Sequence, residues 1–341
     1  MTYNDDMKIN MRRWLDGQIN LKAKKPLPIL SFPCIQPMGI SVKELISDSG
    51  TQANGIKLTA TQCDCAAAVS LMDLSLEAEC FGSEIKFSDG EVPTVVGSIV
   101  TDMESAQNLK VPPIGSGRTS IYLQAAEKAV EMITDRPILG GTIGPFSLAS
   151  RLVGVSEAMI YCYEEPEMMN LVLSKSTDFL IAYINEYKKT GINGIIMAEP
   201  VTGMLSPDLA REFSEPYVRK IVEAAKDDNF IVVYHNCGNS TIQMIDSILA
   251  TGADAFHFGN AIDMAQMMPH IPENVIVMGN ISPAEQFRNG TPESMKKTVL
   301  DLLSKCGKYP NFIISSGCDI PPLSPWANID AFFAAVKEFY S

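Results

Sequence analysis

Short apolar runs recur along this chain, and each is followed by a longer stretch with helical periodicity. The runs centre near residues 28, 84, 139, 196, 232, 256, 277 and 313. Strands separated by helices return to the same end of a sheet, so the alternation predicts parallel strands. Eight such units predict a (β/α)8 TIM barrel, with residues 1–26 as an N-terminal helical extension and connector and 27–341 as the barrel. A doubly wound open sheet is the alternative. No Gly-x-Gly-x-x-Gly follows the first run, which weakens its dinucleotide-binding version.

In detail, an amphipathic helix is expected over 4–20, strands over Leu27 to Phe32 and Phe81 to Phe87, and one long helix from Thr51 to Glu79. Val92 to Val100 reads as a β-excursion. Barrel geometry matters for function because the C-terminal ends of the strands converge on one mouth. Asp89, Glu199, His235, Cys237 and Cys318 all lie just after expected strands, which makes them the candidate site residues.

The sharpest local pattern is Tyr234-His235-Asn236-Cys237-Gly238, directly after Phe230-Ile231-Val232-Val233. In extended backbone, residues two apart point to the same side, so His235 and Cys237 can close on one ion. Cys318 follows the last apolar run, Phe312-Ile313-Ile314, and supplies a third donor. One imidazole and two thiolates with a free fourth position form the open zinc site of an enzyme, whereas structural zinc is usually closed by four protein ligands. The bland alternative makes Cys237 and Cys318 small core residues and His235 a satisfied histidine. Glu199 is a weaker candidate, as a fourth ligand or a base, with a plain ion-paired carboxylate as its alternative. Asp89 and Glu199 stand as candidate catalytic carboxylates. His257 could orient a ligand, although a structural histidine is the simpler reading. Cys63-Asp64-Cys65 falls in the expected helix, where residues two apart diverge by about 200°, so it reads as packing.

A net charge of −13 argues against nucleic acid or an anionic membrane as partner. Residues 1–6 show neither a basic nor an apolar leader pattern, and no apolar run reaches spanning length. With eight cysteines and no signal, reduced thiols in a cytoplasmic protein are expected.

Several stretches resemble the uroporphyrinogen decarboxylase superfamily, and within it the corrinoid-dependent methyltransferases. They are Met72 to Gly82, Phe87-Ser88-Asp89, Gly140 to Leu148, Met278 to Pro283, and His235-x-Cys237 with the distant Cys318. The resemblance implies zinc on His235, Cys237 and Cys318. It also implies methyl transfer from a methyl-corrinoid, as free methylcobalamin or on a corrinoid protein, to a thiol such as coenzyme M. It equates Asp89 with the aspartate that faces the pyrrole nitrogens in the decarboxylases. The chain departs from the decarboxylases at Cys318, where they have a histidine near the last strand, and again after the first strand. Where they carry an arginine-rich motif after the first strand, this sequence reads Pro33-Cys34-Ile35-Gln36-Pro37-Met38-Gly39, without a cation. A tetrapyrrole decarboxylase, a tetrahydrofolate-accepting methyltransferase and a non-catalytic corrinoid-binding protein are the competing expectations.

Overall fold

The computed structural model describes residues 9–341. Seven parallel strands form one curled sheet, in the order β1 (Ala68–Val69), β4 (Ile138–Ile143), β5 (Gly194–Ala198), β6 (Ile231–Asn236), β7 (Ala255–Phe258), β8 (Ile276–Ile281) and β9 (Phe312–Ser316). Two short strands, β2 (Glu84–Lys86) and β3 (Thr94–Val96), make a separate antiparallel hairpin. The sheet is TIM-barrel-like, as the alternation of strands and helices implies.

The gap between β9 and β1 is spanned by the first apolar run. Leu27 donates its N–H to Ile314 O at 3.0 Å, and Pro26 O accepts from Ala66 N at 2.9 Å. Ile29 N reaches Ser316 Oγ at 3.0 Å. Pro26 and Pro28 have no N–H to give to a ladder, so this segment bonds to both edges without continuous pairing. It occupies the place of an eighth strand.

Two corrections concern the second unit. The long helix expected over 51–79 ends at Gln62, and the second barrel strand is Ala68–Val69. Ala66-Ala67-Ala68 carries helix-forming residues, but all three are buried between the sheet and its surroundings, and tertiary context decides. Phe81 to Phe87 accordingly lies outside the barrel, at the start of the hairpin. The β-excursion expected over Val92 to Val100 is present as β3.

Side-chain alternation divides the core into two layers. Ile196 and Ala198, Ile231 and Val233, Ala255, Ile276 and Met278, and Ile313 belong to the inner cluster. Ile195, Met197, Val232, Tyr234, Phe256, Val277, Phe312 and Ile314 belong to the outer cluster, against the helices. The helix Met11–Asn20 contributes Met11 and Leu15 to the inner cluster and so closes the barrel interior. Met11 N donates to Asp228 O at 2.7 Å, just ahead of β6, which places this helix at the end opposite the mouth. Residues 1–8, the start of the expected N-terminal helix, lie outside the described residues. Among the described residues no helix is long and apolar enough to cross a membrane.

Candidate metal centre

The alternation along β6 carries His235 inward. Ile231 and Val233 face the barrel interior, and His235 continues their parity. Cys237 lies two residues further, at the strand's exit. Gly259 lets it pack there, since a Cβ at this glycine would stand 2.5 Å from Cys237 Cα. Cys318 follows β9. One ligand atom from each of His235, Cys237 and Cys318 lies within 4.8 Å of the others. Donors at ordinary zinc distances in a tetrahedral site lie roughly 3.5–4 Å apart, so the cluster is of the right size to close on one ion.

Hydrogen bonding behind the cluster selects the free nitrogen of His235. Ser315 Oγ donates to Leu27 O at 2.7 Å, so it accepts from His257 Nε2, also 2.7 Å away. Burial, followed by the neighbouring His235, holds His257 well below the ordinary histidine range, so its ring is neutral. With its proton on Nε2, His257 presents a bare Nδ1 to His235 Nδ1 at 2.7 Å. His235 therefore carries its proton on Nδ1, and its Nε2 lone pair is free. That Nε2 is buried and has no hydrogen-bond partner. An orphaned acceptor beside two thiols fits a metal ligand.

The two thiols differ in how readily they ionise. A hydrogen bond with Cys318 draws Cys237 below the usual thiol range, so its thiolate forms first. Cys318, through the same hydrogen bond and then its burial, is pushed up to about 12. A metal ion would supply the charge that lets both deprotonate.

His235 and Cys318 line a cavity of about 410 Å³ together with Met72, Val92, Arg151 and Pro200. The β2–β3 hairpin supplies one wall through Val92 to Val95. Asp89 stands on the connection between β2 and β3, exposed, and is not among the residues lining the cavity. Its backbone O accepts from Val42 N at 2.8 Å. The carboxylate that follows the second barrel strand is Asp73, which is buried and bonded to Arg118, Tyr122 and Ser75.

Glu199 is also placed apart from the cluster. Ala198 faces inward, so the next residue points outward into the helix layer. Glu199 is fully buried there and caps the helix Pro145–Val153, accepting from Phe146 N at 2.8 Å and Ser147 N at 2.9 Å. The hydroxyls of Ser147 and Thr202 complete its bonds. Gly144 makes room for it, because a Cβ there would lie 2.3 Å from Glu199 Cγ. Burial raises the Glu199 carboxyl to about 7.

The uroporphyrinogen decarboxylase (URO-D) family model matches residues 36–339. The chain belongs to that family. It is 30% identical over 277 residues to a methylcobamide:CoM methyltransferase of Methanosarcina acetivorans, covering 78% of each chain. It is 27% identical over 291 residues to a uroporphyrinogen decarboxylase of Coxiella burnetii, covering 80% of this chain and 77% of that one. Its fold matches a methyltransferase from Methanosarcina mazei with a TM-score of 0.84 at 24% identity, over 98% of this chain and 99% of the other. It also matches a B12-independent methionine synthase from Shewanella with a TM-score of 0.62 at 13% identity, covering 93% and 95% of the two chains.

Gln36 lies in the segment that follows the first apolar run. Its Nε2 donates to Pro322 O at 2.9 Å and Ser324 O at 2.8 Å, tying the first segment to the loop after β9. Sequence reasoning passed over Arg151, which the structure sets in the cavity wall. Its place in the seventh position of an ordinary helix gives no local signal.

Proposed function

We propose that the protein is a zinc-dependent methyltransferase that moves a methyl group from a methyl-corrinoid to a small thiol such as coenzyme M. The observation that carries this reading is the cluster of His235 Nε2, Cys237 and Cys318, two of whose residues line one cavity. Three protein donors leave a fourth position for an exchangeable ligand. Zinc, when bound, would deprotonate a coordinating thiol at neutral pH and keep its sulfur nucleophilic.

The residues of the chain prepare that site. His257 and Ser315 hold the His235 ring with its lone pair bare, and the two cysteines supply anionic sulfur. In the transfer itself, the acceptor's thiolate sulfur attacks the cobalt-bound methyl carbon. The S–C bond forms as the Co–C bond breaks, and the electron pair stays on cobalt as cob(I)alamin. The apolar cavity wall of Met72, Leu74, Val92 and Val95 would exclude water from this displacement. A corrinoid protein would present the donor at the mouth.

Support comes further from the similarity to a methylcobamide:CoM methyltransferase. Decarboxylation of a tetrapyrrole is the second reading, favoured by the similarity to a uroporphyrinogen decarboxylase. A substrate with eight carboxylates calls for several cations, and Arg151 is the one Lys or Arg among the cavity's described lining residues.

The test is anaerobic mixing of zinc-loaded protein with methylcobalamin and either coenzyme M, homocysteine or tetrahydrofolate, followed by the cob(I)alamin spectrum. Demethylation with a thiol, abolished in Cys318→Ala, is expected. Demethylation with tetrahydrofolate alone, or undiminished turnover in Cys318→Ala, contradicts the reading.

A further inference from the structure

Arg151 stands out among the partly buried arginines because nothing in the protein satisfies it. Arg118 is paired with Asp73 and Glu79, Arg136 with Asp135, and Arg219 with Glu215. Arg151 takes part in none of the ion pairs formed by the described residues. Its Nε is buried and has no hydrogen-bond partner. A guanidinium N–H shut off from water without an acceptor is costly, and such groups in native proteins usually find a partner. The side chain lines the cavity that also holds His235 and Cys318.

The other charged groups of the cavity leave it free. Glu91 is exposed, at the rim. Asp319 accepts from Ser31 Oγ at 3.1 Å and forms no ion pair with Arg151. Leu74, Val92 and Val95 add apolar lining. An unpaired cation in a mostly apolar cavity selects a ligand with an anionic group.

We propose that Arg151 is the specificity-determining residue of the cavity and binds the sulfonate or carboxylate of the small thiol acceptor. The proposal rests on the methyltransfer reading, which places the acceptor's sulfur at the cluster of His235, Cys237 and Cys318. A short molecule with sulfur at one end and an anion at the other would engage both the cluster and Arg151, which line the same cavity. Desolvation lowers the Arg151 guanidinium from its usual range, and a bound anion would reverse that penalty. The forked donors of arginine match both oxyanions, which a lysine ammonium reproduces only as a point charge.

The experiment is calorimetric titration of zinc-loaded full-length protein, wild type, Arg151→Leu and Arg151→Lys, with four probes. These are 2-mercaptoethanesulfonate, 3-mercaptopropionate, 2-mercaptoethanol and the thiol-free ethanesulfonate. Hydrogen bonds to a charged group imply that Arg151→Leu weakens the preferred anionic thiol about tenfold to a hundredfold. Arg151→Lys should retain part of that affinity, and 2-mercaptoethanol should bind all three proteins alike. Comparing the two anionic thiols separates sulfonate from carboxylate. Ethanesulfonate binding that depends on Arg151 would uphold the proposal even if no methyl transfer were found. Equal affinity of the anionic thiols for wild type and Arg151→Leu, or an equal loss for the neutral thiol, overturns it. So does methyl transfer by Arg151→Leu with an unchanged KM for the anionic thiol, a result that would leave the methyltransfer reading standing.

Discussion

His257 touches no solvent, yet it decides which nitrogen of His235 is available. The chain of bonds from Leu27 O through Ser315 and His257 sets the tautomer, so the His235 Nε2 lone pair is left free. Replacing His257 with leucine removes the 2.7 Å partner of His235 Nδ1 and leaves it only the longer bond to the backbone O of residue 257, at 3.2 Å. Loss of such an orienting partner typically costs 10–100-fold in metal affinity. His257→Leu should therefore bind zinc about that much more weakly in competition with a chromogenic chelator, while far-UV circular dichroism stays unchanged. An unaltered affinity would mean that the His257 ring does not orient His235, the backbone O of residue 257 and packing being sufficient. The grouping of His235, Cys237 and Cys318 was legible in the sequence, because His-x-Cys after an apolar run places two donors on one side of a strand. The bonds behind it were not, because His235, His257 and Ser315 meet only once β6, β7 and β9 are curled into one sheet.

At the scale of elements, parity explains what the sequence reading reached and what it missed. Period-two alternation puts His235 inside and Glu199 outside, so counting from Ala198 would have turned Glu199 away from the site. Asp89 was tied to a second strand placed at Phe81 to Phe87, and it moved with that error. The actual strand, Ala68–Val69, has two residues, too few for any periodicity to be read. The loop that follows it is pinned by Arg118, which bonds Asp73 and, at 2.7 Å, Glu79. Arg118→Met would leave Asp73 buried without its counter-charge, and breaking such a pair costs about 3–5 kcal/mol. Urea denaturation should show a loss of that size. A loss below about 1 kcal/mol would indicate that water enters to solvate Asp73.

Glu77 joins the helix Leu76–Cys80 to β4 by accepting from Thr142 Oγ1 at 2.8 Å and Ile143 N at 3.1 Å. Its Oε2 is buried without a partner. Burial is the largest cause that raises this carboxyl from 4.5 to about 7. The folded state thus holds the proton that the unfolded chain releases, and stability falls as pH rises from about 4.5 to about 7. Glu77→Gln mimics the protonated form and should remove that slope. At pH 8 its stability relative to wild type should exceed the same difference at pH 4 by on the order of 3 kcal/mol. A pH-independent difference would show that Glu77 is ionised in the fold.

For the whole molecule, the sequence's alternation of apolar runs and helices was enough to read a barrel-like sheet and to place the strand ends on one mouth. The closure by Pro26 to Ile29 and the hairpin wall were beyond that reading, since both depend on pairings between distant parts of the chain. The assembled barrel brings His235, Cys318 and the unpaired Arg151 to a single cavity, with Cys237 beside the first two. Zinc K-edge absorption spectroscopy of zinc-loaded protein, before and after addition of coenzyme M, addresses this arrangement most directly. The account predicts two sulfur neighbours at about 2.3 Å without the thiol and three with it. A sulfur count that stays at two in saturating thiol, or four protein ligands from the start, would contradict a site built to hold the acceptor's sulfur.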